Sequence, residues 1–151
     1  EKEPCICTIA ELNRYNRKLS GPILDRMDIW IKVSRVKHKD IAKDIKNENS
    51  DKQIIDKIRE KVERVRKIQE KRLGISRVNS SMTPKEIKYL CLLDNESNSI
   101  LQNAVDNLGI SMRGYHKIIK VARTIADLEG EEKISANHIR EALQYRKPAN
   151  R

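Results

Sequence analysis

Two cysteines near the start of this sequence are spaced to contribute to a metal site. Cys5 and Cys7 flank a single isoleucine and could form half of such a site. A structural zinc ion requires four protein ligands, and this pair supplies only two of them. The three histidines, His38, His116 and His138, are far apart in the sequence and suggest no ligand set. We therefore expect no metal site, with Cys5 and Cys7 as the candidates for half of one.

The sequence lacks the short motifs that nucleotide hydrolysis needs. It has no GxxxxGK[ST] segment (Walker A), whose backbone and lysine cradle phosphates. No apolar strand ends in paired acids that could hold Mg²⁺ (Walker B), and the GxSxG and HExxH motifs are missing. The chain is therefore expected not to be catalytic by itself.

The composition is basic and strongly charged. The formal net charge is +10, and 36% of the residues are charged. Acids and bases are mixed, which is typical of solvated helix faces rather than of a disordered tail. The excess of Lys and Arg favours a polyanion partner such as DNA, because these side chains release counterions from phosphates. It fits a lysine-rich, solubilising surface equally well.

The sequence carries no sign of export or of a membrane span. There is no signal peptide and no apolar run of the roughly 18 residues that a bilayer requires. We expect a cytoplasmic chain without a membrane partner. Cys91 lies in the apolar run 90–93 and is expected to be a buried, inert thiol.

The first 33 residues predict two helices and a strand. Thr8 and Glu11 have the spacing of a capping box, which opens the first helix. A short second helix is expected over 22–27, where the first residue is a proline. Residues 28–33 alternate and are rich in β-forming side chains, so they are expected to form a strand.

After a polar connector at 34–50, capping residues and apolar periodicity predict five helices. Ser50 is expected to cap the first of them, whose apolar stripe runs from Ile55 to Ile68. The helices are expected at 51–73, 84–93, 95–108, 112–128 and 136–146. The fourth is apolar on more than one face and should be central. Short loops favour an all-α helical bundle over 51–147, followed by a disordered tail at 148–151.

Three segments, taken in order, resemble one family of bacterial AAA+ ATPases. The first joins Cys5–Thr8 (CICT) and Arg14-Tyr15 to residues 19–29 (LSGPILDRMDI). The second is the basic segment 64–72 (RVRKIQEKR), and the third is 111–128 (SMRGYHKIIKVARTIADL). These segments are similar to those of the magnesium-chelatase-like ComM/YifB family. The likeness spans nearly the whole chain.

The resemblance implies a fold, a set of modules and a mechanism. Members of the family are hexameric AAA+ ATPases that end in a helical lid, and ComM proteins are implicated in DNA branch migration during natural transformation (competence). Residues 1–33 would then be the helix-helix-strand end of the α/β core, and 51–147 the lid. The beginning Glu1-Lys2-Glu3-Pro4 suggests an excised C-terminal fragment, with the ATP-binding loop and the Mg²⁺-binding acids upstream.

The same resemblance implies cofactors and partners. ATP and Mg²⁺ would serve the full-length protein, and neither is expected to be bound by this part alone. The expected partners are further copies of the protein in a ring, and DNA.

The resemblance gives Arg26 the role of an arginine finger. Segment 24–28 (LDRMD) is similar to a segment of related replicative helicases in which the arginine neutralises γ-phosphate charge in a neighbouring subunit. Arg26 follows a short helix and precedes the expected strand, which suits a subunit edge. The alternative is a structural arginine paired with Asp25 or Asp28.

Arg113 matches the sensor-2 arginine of those helicases, which touches the γ-phosphate and couples the lid angle to the nucleotide state. It follows the capping Ser111, and a helix N-terminus favours anions. The alternative is an exposed first-turn arginine that opposes the helix dipole. Gly114, where many relatives have Ala, costs about 1 kcal/mol of helix propensity. Arg123 is expected to pair with Asp127, four residues later.

A second function remains open, namely a basic helical module that binds DNA or drives oligomerisation and has no nucleotide role. It rests on the net charge and on helix 51–73, which carries nine basic and five acidic residues. A DNA reader should gather its basic residues on one face. In this helix bases and acids interleave, which favours the lid.

Overall fold

The structure is a computed structural model and describes residues 6–18, 23, 25–34 and 48–146. In these ranges the chain forms six α-helices and a 3-10 turn at Asn79–Ser81, which confirms the all-α bundle. The α-helices are α1 Ile9–Arg17, α2 Glu48–Leu73, α3 Pro84–Leu90, α4 Asn95–Leu108, α5 Met112–Glu129 and α6 Ala136–Gln144. The described residues contain no helix long and apolar enough to cross a bilayer.

Some expected features fall outside the described residues. They are Cys5, two residues (22 and 24) of the helix expected at 22–27, most of the connector at 34–50 and the tail at 148–151. Residues 25–27 of that expected helix are described and are not helical. The division of the chain into core, connector and lid stays a prediction.

Capping side chains start the helices largely where the sequence predicts. The Glu11 carboxylate accepts hydrogen bonds from the Thr8 N–H and hydroxyl at 2.8 and 2.9 Å. Thr83 and Glu86 form the same capping box at the start of α3. Ser111 Oγ accepts from the Gly114 N–H at 3.1 Å at the start of α5. These contacts satisfy backbone donors that have no partner within their own helix.

Three expectations about element boundaries are wrong. Residues 28–33 form no strand, because the described chain offers no partner strand and the Trp30 N–H donates instead to the Tyr145 carbonyl at 2.8 Å. α2 begins at Glu48, so Ser50 lies inside the helix. An existing helix propagates upstream readily, because each added residue gains a backbone hydrogen bond. α3 ends at Leu90, since Leu93 turns away to form an isolated β-bridge with Ile134.

The core surrounds α5, as its apolar sequence predicts. Ile118, Ala122 and Ala126 of α5 are buried against Leu101 of α4 and Ile139 of α6. Leu108 is mostly exposed, since it lies at the end of α4, where Gly109 turns the chain in a left-handed conformation. Cys91 is buried as expected, and burial raises the pKa of its thiol to about 11. The thiol therefore stays protonated at neutral pH.

A buried carboxylate, Asp127 of α5, joins three parts of the bundle. Arg72 of α2 binds both of its oxygens, at 2.6 and 2.9 Å. Asn79 of the 3-10 turn donates to it at 2.8 Å. Arg123 donates through Nε at 3.1 Å, which confirms the expected Arg123–Asp127 pair. Only 1% of the Asp127 side chain is exposed, so this network replaces the water that the carboxylate loses.

Arg123 has a second set of contacts beyond that pair. Its guanidinium donates to the Glu132 and Glu131 carbonyls at 2.6 and 2.5 Å, and so fixes the loop between α5 and α6. Burial acts to raise the pKa of Asp127, but the hydrogen bonds from Arg72 and Asn79 and the charges of both arginines hold it below its usual range. Asp127 is therefore ionised at neutral pH.

Acid should weaken the fold through Glu86. Its carboxylate binds Arg77 at 2.7 and 3.0 Å and caps α3 through Thr83, which together lower its pKa from 4.5 to about 2. Because this pKa is depressed by folding, the stabilisation is complete above pH 4.5 and is lost as pH falls from about 4.5 to about 2. We expect Glu86→Gln, which keeps the cap, to lower the free energy of unfolding at pH 7.

The measurement is urea unfolding of both proteins at pH 7, 4 and 2.5. The difference between wild type and Glu86→Gln should shrink steadily toward the lowest pH. A difference that stays constant over this range would show that the Glu86 charge does not contribute.

Candidate functional site

The two arginines singled out in the sequence line one groove. The groove has a volume of about 780 Å³ and lies between the segment 26–31 and one face of α5. Arg26 lines it from that segment and Arg113 lines it from the first turn of α5. Both residues are exposed. The fold therefore brings together two side chains that are 87 positions apart in the sequence.

Contacts on both sides of Arg26 hold this segment against the helical bundle. The Ser111 hydroxyl donates to Asp25 Oδ1 at 2.8 Å. The Lys117 ammonium forms an ion pair with Asp28 Oδ1 at 2.8 Å. Farther along, Trp30 is held through its backbone by Tyr145. Of the two carboxylates proposed as partners of Arg26, Asp25 thus contacts Ser111, which caps α5, and Asp28 contacts Lys117 of α5.

Cationic side chains dominate the charged part of the groove lining. Arg26, Arg113, Lys117 and Lys120 face two carboxylates, Asp28 and Glu141. One lysine is engaged by Asp28, and Lys120 Nζ donates to the Ser80 carbonyl at 2.8 Å. The rest of the lining is largely aliphatic, with Met82, Ile87, Val121, Ile125 and Leu128 among its residues. A groove with cations beside an aliphatic surface suits a ligand that has an anionic end and an apolar ring.

The lysines of this groove were missed in the sequence. Arg113, Lys117 and Lys120 stand at i, i+4 and i+7, which places them on one face of α5. That spacing was the available signal. Lysine is common along the whole chain, so this spacing alone does not distinguish a site.

A further arginine, Arg146, lies beside the first turn of α5. A Cβ atom at Gly114 would meet Ile110 Cγ2 at 2.8 Å and the Arg146 guanidinium at 3.1 Å. Gly114 therefore gives the space that Ile110 and Arg146 occupy. Close packing thus explains why a glycine stands at position 114 although glycine lowers the helix propensity there.

The described residues contain no group of three or more side chains that could hold a metal ion. Cys7 is exposed, and its possible partner Cys5 lies outside the described ranges.

Comparison with known proteins covers most of the chain. Residues 52–146 match the family described as magnesium chelatase, subunit ChlI C-terminal, and residues 1–41 match magnesium chelatase, subunit ChlI. Competence protein ComM of Haemophilus influenzae is 40% identical over 136 residues, which are 90% of this chain and 26% of that protein. Uncharacterized protein YifB of Escherichia coli is 31% identical over 140 residues, 93% of this chain and 26% of its own length. A Mycobacterium bovis protein, Mb2921c, is 26% identical over 153 residues, the whole of this chain and 29% of that protein. The chain thus spans about a quarter of the length of these relatives.

Proposed function

Since this chain belongs to the magnesium-chelatase family, in its ComM/YifB branch, we propose that it forms the lid and the adjoining end of the core in a ring-shaped AAA+ ATPase. The observation that carries the proposal is the shared groove of Arg26 and Arg113. Two arginines in one basic groove suit the triphosphate of a single bound nucleotide, because charge-assisted hydrogen bonds to phosphate oxygens are strong.

The nucleotide would be bound mainly by a neighbouring subunit, with both arginines acting in trans. A phosphate loop and a carboxylate site for Mg²⁺ would come from that neighbour's ATPase core. ATP with Mg²⁺ supplies the phosphoryl group that is cleaved. The residues of this chain would orient the phosphates and neutralise charge that develops on them, while the aliphatic lining keeps water away.

Three cationic residues of the groove would then have separate roles. Arg26 would act as the finger on the γ-phosphate in the transition state. Arg113 would bind the phosphates already in the ground state. Lys117 would hold the segment that bears Arg26, because it pairs with Asp28 at 2.8 Å. The attachment of this segment to α5 would transmit the nucleotide state to the lid.

We further propose that ATP turnover drives the remodelling of DNA in the cytoplasm, by branch migration or a related process. Two observations support this. The formal net charge is +10, which favours a polyanion partner. The relative from Haemophilus influenzae is named a competence protein. The alternative, a basic DNA-binding or oligomerisation module with no nucleotide role, would leave ATP turnover independent of the groove.

The experiment is Arg113→Ala in the full-length ATPase. Loss of a charge-assisted hydrogen bond of about 1.5–3 kcal/mol should raise the KM for ATP roughly 10- to 100-fold, with a smaller fall in kcat. Arg140→Ala is the matched control, because Arg140 is exposed on α6, does not line the groove and pairs only with Glu96 and Asn137 among the described contacts. If both variants turn over ATP like the wild type, the groove has no nucleotide role. That result would favour the alternative, a basic DNA-binding or oligomerisation module.

A further inference from the structure

Helix α2 is buried at one end and bare at the other. Val65, Gln69 and Leu73, in its C-terminal half, are at most 9% exposed. Four β-branched aliphatic residues of the N-terminal half are exposed instead. These are Ile54 at 54%, Ile55 at 52%, Ile58 at 57% and Val62 at 39%, and together they are called the bare stripe. Exposed aliphatic residues on successive turns of one helix face typically mark a contact surface.

Three residues of the bare stripe, Ile55, Ile58 and Val62, continue a line of residues that is buried farther along α2. Starting at Ile55, the positions of this line follow one another at steps of three and four residues. They are Ile55, Ile58, Val62, Val65, Gln69 and Arg72. This alternation is the a and d pattern of a heptad repeat. The last three positions pack into the bundle, and the first three are available to a second helix.

The charges beside the stripe have one sign. With Ile55 at position a, the flanking e and g positions between 52 and 68 hold four charged residues, all basic. They are Lys52, Arg59, Lys61 and Arg66. The acids of the same stretch, Asp56, Glu60 and Glu63, fall at b and f on the opposite side of the helix. Arg59 pairs with Asp56 at 3.0 Å, but both side chains are 65% exposed, so solvent screens that pair.

This charge pattern selects among the possible occupants. Two copies of α2 would place basic e and g residues opposite one another in either orientation, which disfavours a homodimer. Helices that lie on membranes usually bear Trp, Phe or Leu on a wide apolar face, whereas this stripe has only Ile and Val and the polar face carries acids. A helix with carboxylates beside its seam meets both the aliphatic and the electrostatic requirement.

We propose that the bare stripe of α2 docks an amphipathic α-helix of a partner protein whose aliphatic seam is flanked by Asp and Glu. The partner's seam residues pack on Ile55, Ile58 and Val62. Its carboxylates pair with the basic flanks of α2, which fix the register and exclude helices with basic flanks. This interface is separate from the nucleotide groove and does not depend on the proposed ATPase role.

The test uses two synthetic four-heptad peptides with Ile at a and Leu at d. One carries Glu at every e and g position, and the other carries Lys. Fluorescence anisotropy of the labelled peptides measures binding to this chain. The Glu peptide should bind at least tenfold more tightly than the Lys peptide. Replacing Ile58 with Ser should weaken binding of the Glu peptide about tenfold or more.

Charge reversal supplies the matched control. The variant R59E/K61E/R66E should exchange the preference, so that the Lys peptide binds more tightly. The variant K57E/R64E/K67E has the same change in net charge at positions c and f, and it should keep the original preference. All of these side chains are exposed, so circular dichroism should show both variants folded.

Three results would overturn the proposal. Equal binding of both peptides, or no binding of either, would show that the flanks select no partner. Self-association of the chain through the stripe, lost in Ile58→Ser during sedimentation, would make the occupant a second copy. Binding to phosphatidylserine vesicles that requires Ile58, in the absence of peptide selectivity, would make it a lipid surface.

Discussion

Replacing Arg26 with alanine in the full-length protein is expected to lower the kcat for ATP by about 10³-fold or more if Arg26 is the proposed finger, since an arginine finger acts on charge that develops in the transition state. The affinity for ATP should change much less, because the finger contributes little in the ground state. The fold should tolerate the change, as Arg26 is exposed and is not one of the buried residues of the core. The measurement is steady-state ATP turnover, with nucleotide binding and thermal unfolding recorded on the same preparations.

The conservative change Arg26→Lys separates charge from geometry. Lysine keeps the positive charge but loses the fork of donors that matches phosphate oxygens. We expect it to recover only part of the activity. A melting temperature that falls in proportion to turnover, with normal activity per folded ring, would identify Arg26 as a structural residue.

Replacing Asp127 with asparagine is expected to lower the free energy of unfolding by about 3–5 kcal/mol, since it leaves Arg72 and Arg123 without their buried counter-charge. That loss is a large share of the 5–15 kcal/mol that typically stabilises a domain. For a domain of about 100 residues, such as the bundle over 48–146, this loss corresponds to a fall in melting temperature of roughly 15–30 °C. Urea and thermal unfolding at pH 7 measure it directly.

A matched control exists on α2. Asp56 forms an ion pair with Arg59 at 3.0 Å, and both side chains are 65% exposed. Asp56→Asn should therefore change the free energy of unfolding by less than about 1 kcal/mol. If Asp127→Asn is as mild as Asp56→Asn, the buried network does not hold α2, the 3-10 turn and α5 together.

The sequence predicts much of the lid because its local signals agree. Thr83 and Glu86, Ser111, Gly109 and Gly130 mark helix ends through contacts within a few residues, and such contacts can be read from spacing. The aliphatic run of α5 likewise predicts a central helix. These features depend on the chain near each residue and not on the rest of the fold.

What the sequence did not predict depends on distant residues. The segment 28–33 has the alternation of a strand, but alternation cannot supply a partner strand. The Arg72–Asp127 contact joins side chains 55 positions apart, and only tertiary packing places them together. The pairing of Arg123 with Asp127 could be predicted because it spans one helical turn.

The candidate site also has a part that the sequence predicts and a part that depends on distant residues. Arg26 and Arg113 were found through a resemblance to known motifs, and their roles stay predictions. Their common groove, and the lysines that share it, follow from the docking of Asp25 on Ser111 and of Asp28 on Lys117. No sequence spacing encodes those two contacts.

Mixing two inactive full-length variants tests the central claim most directly. One variant carries Arg26→Ala, and the other lacks the lysine of the phosphate loop that is proposed for the full-length protein. If Arg26 acts in trans, mixed rings contain some interfaces with an intact finger and an intact phosphate loop, and ATP turnover should partly recover. Mixed rings that remain as inactive as either variant alone, although subunit exchange is demonstrated, would contradict the proposal that this chain supplies its arginines to a neighbouring subunit.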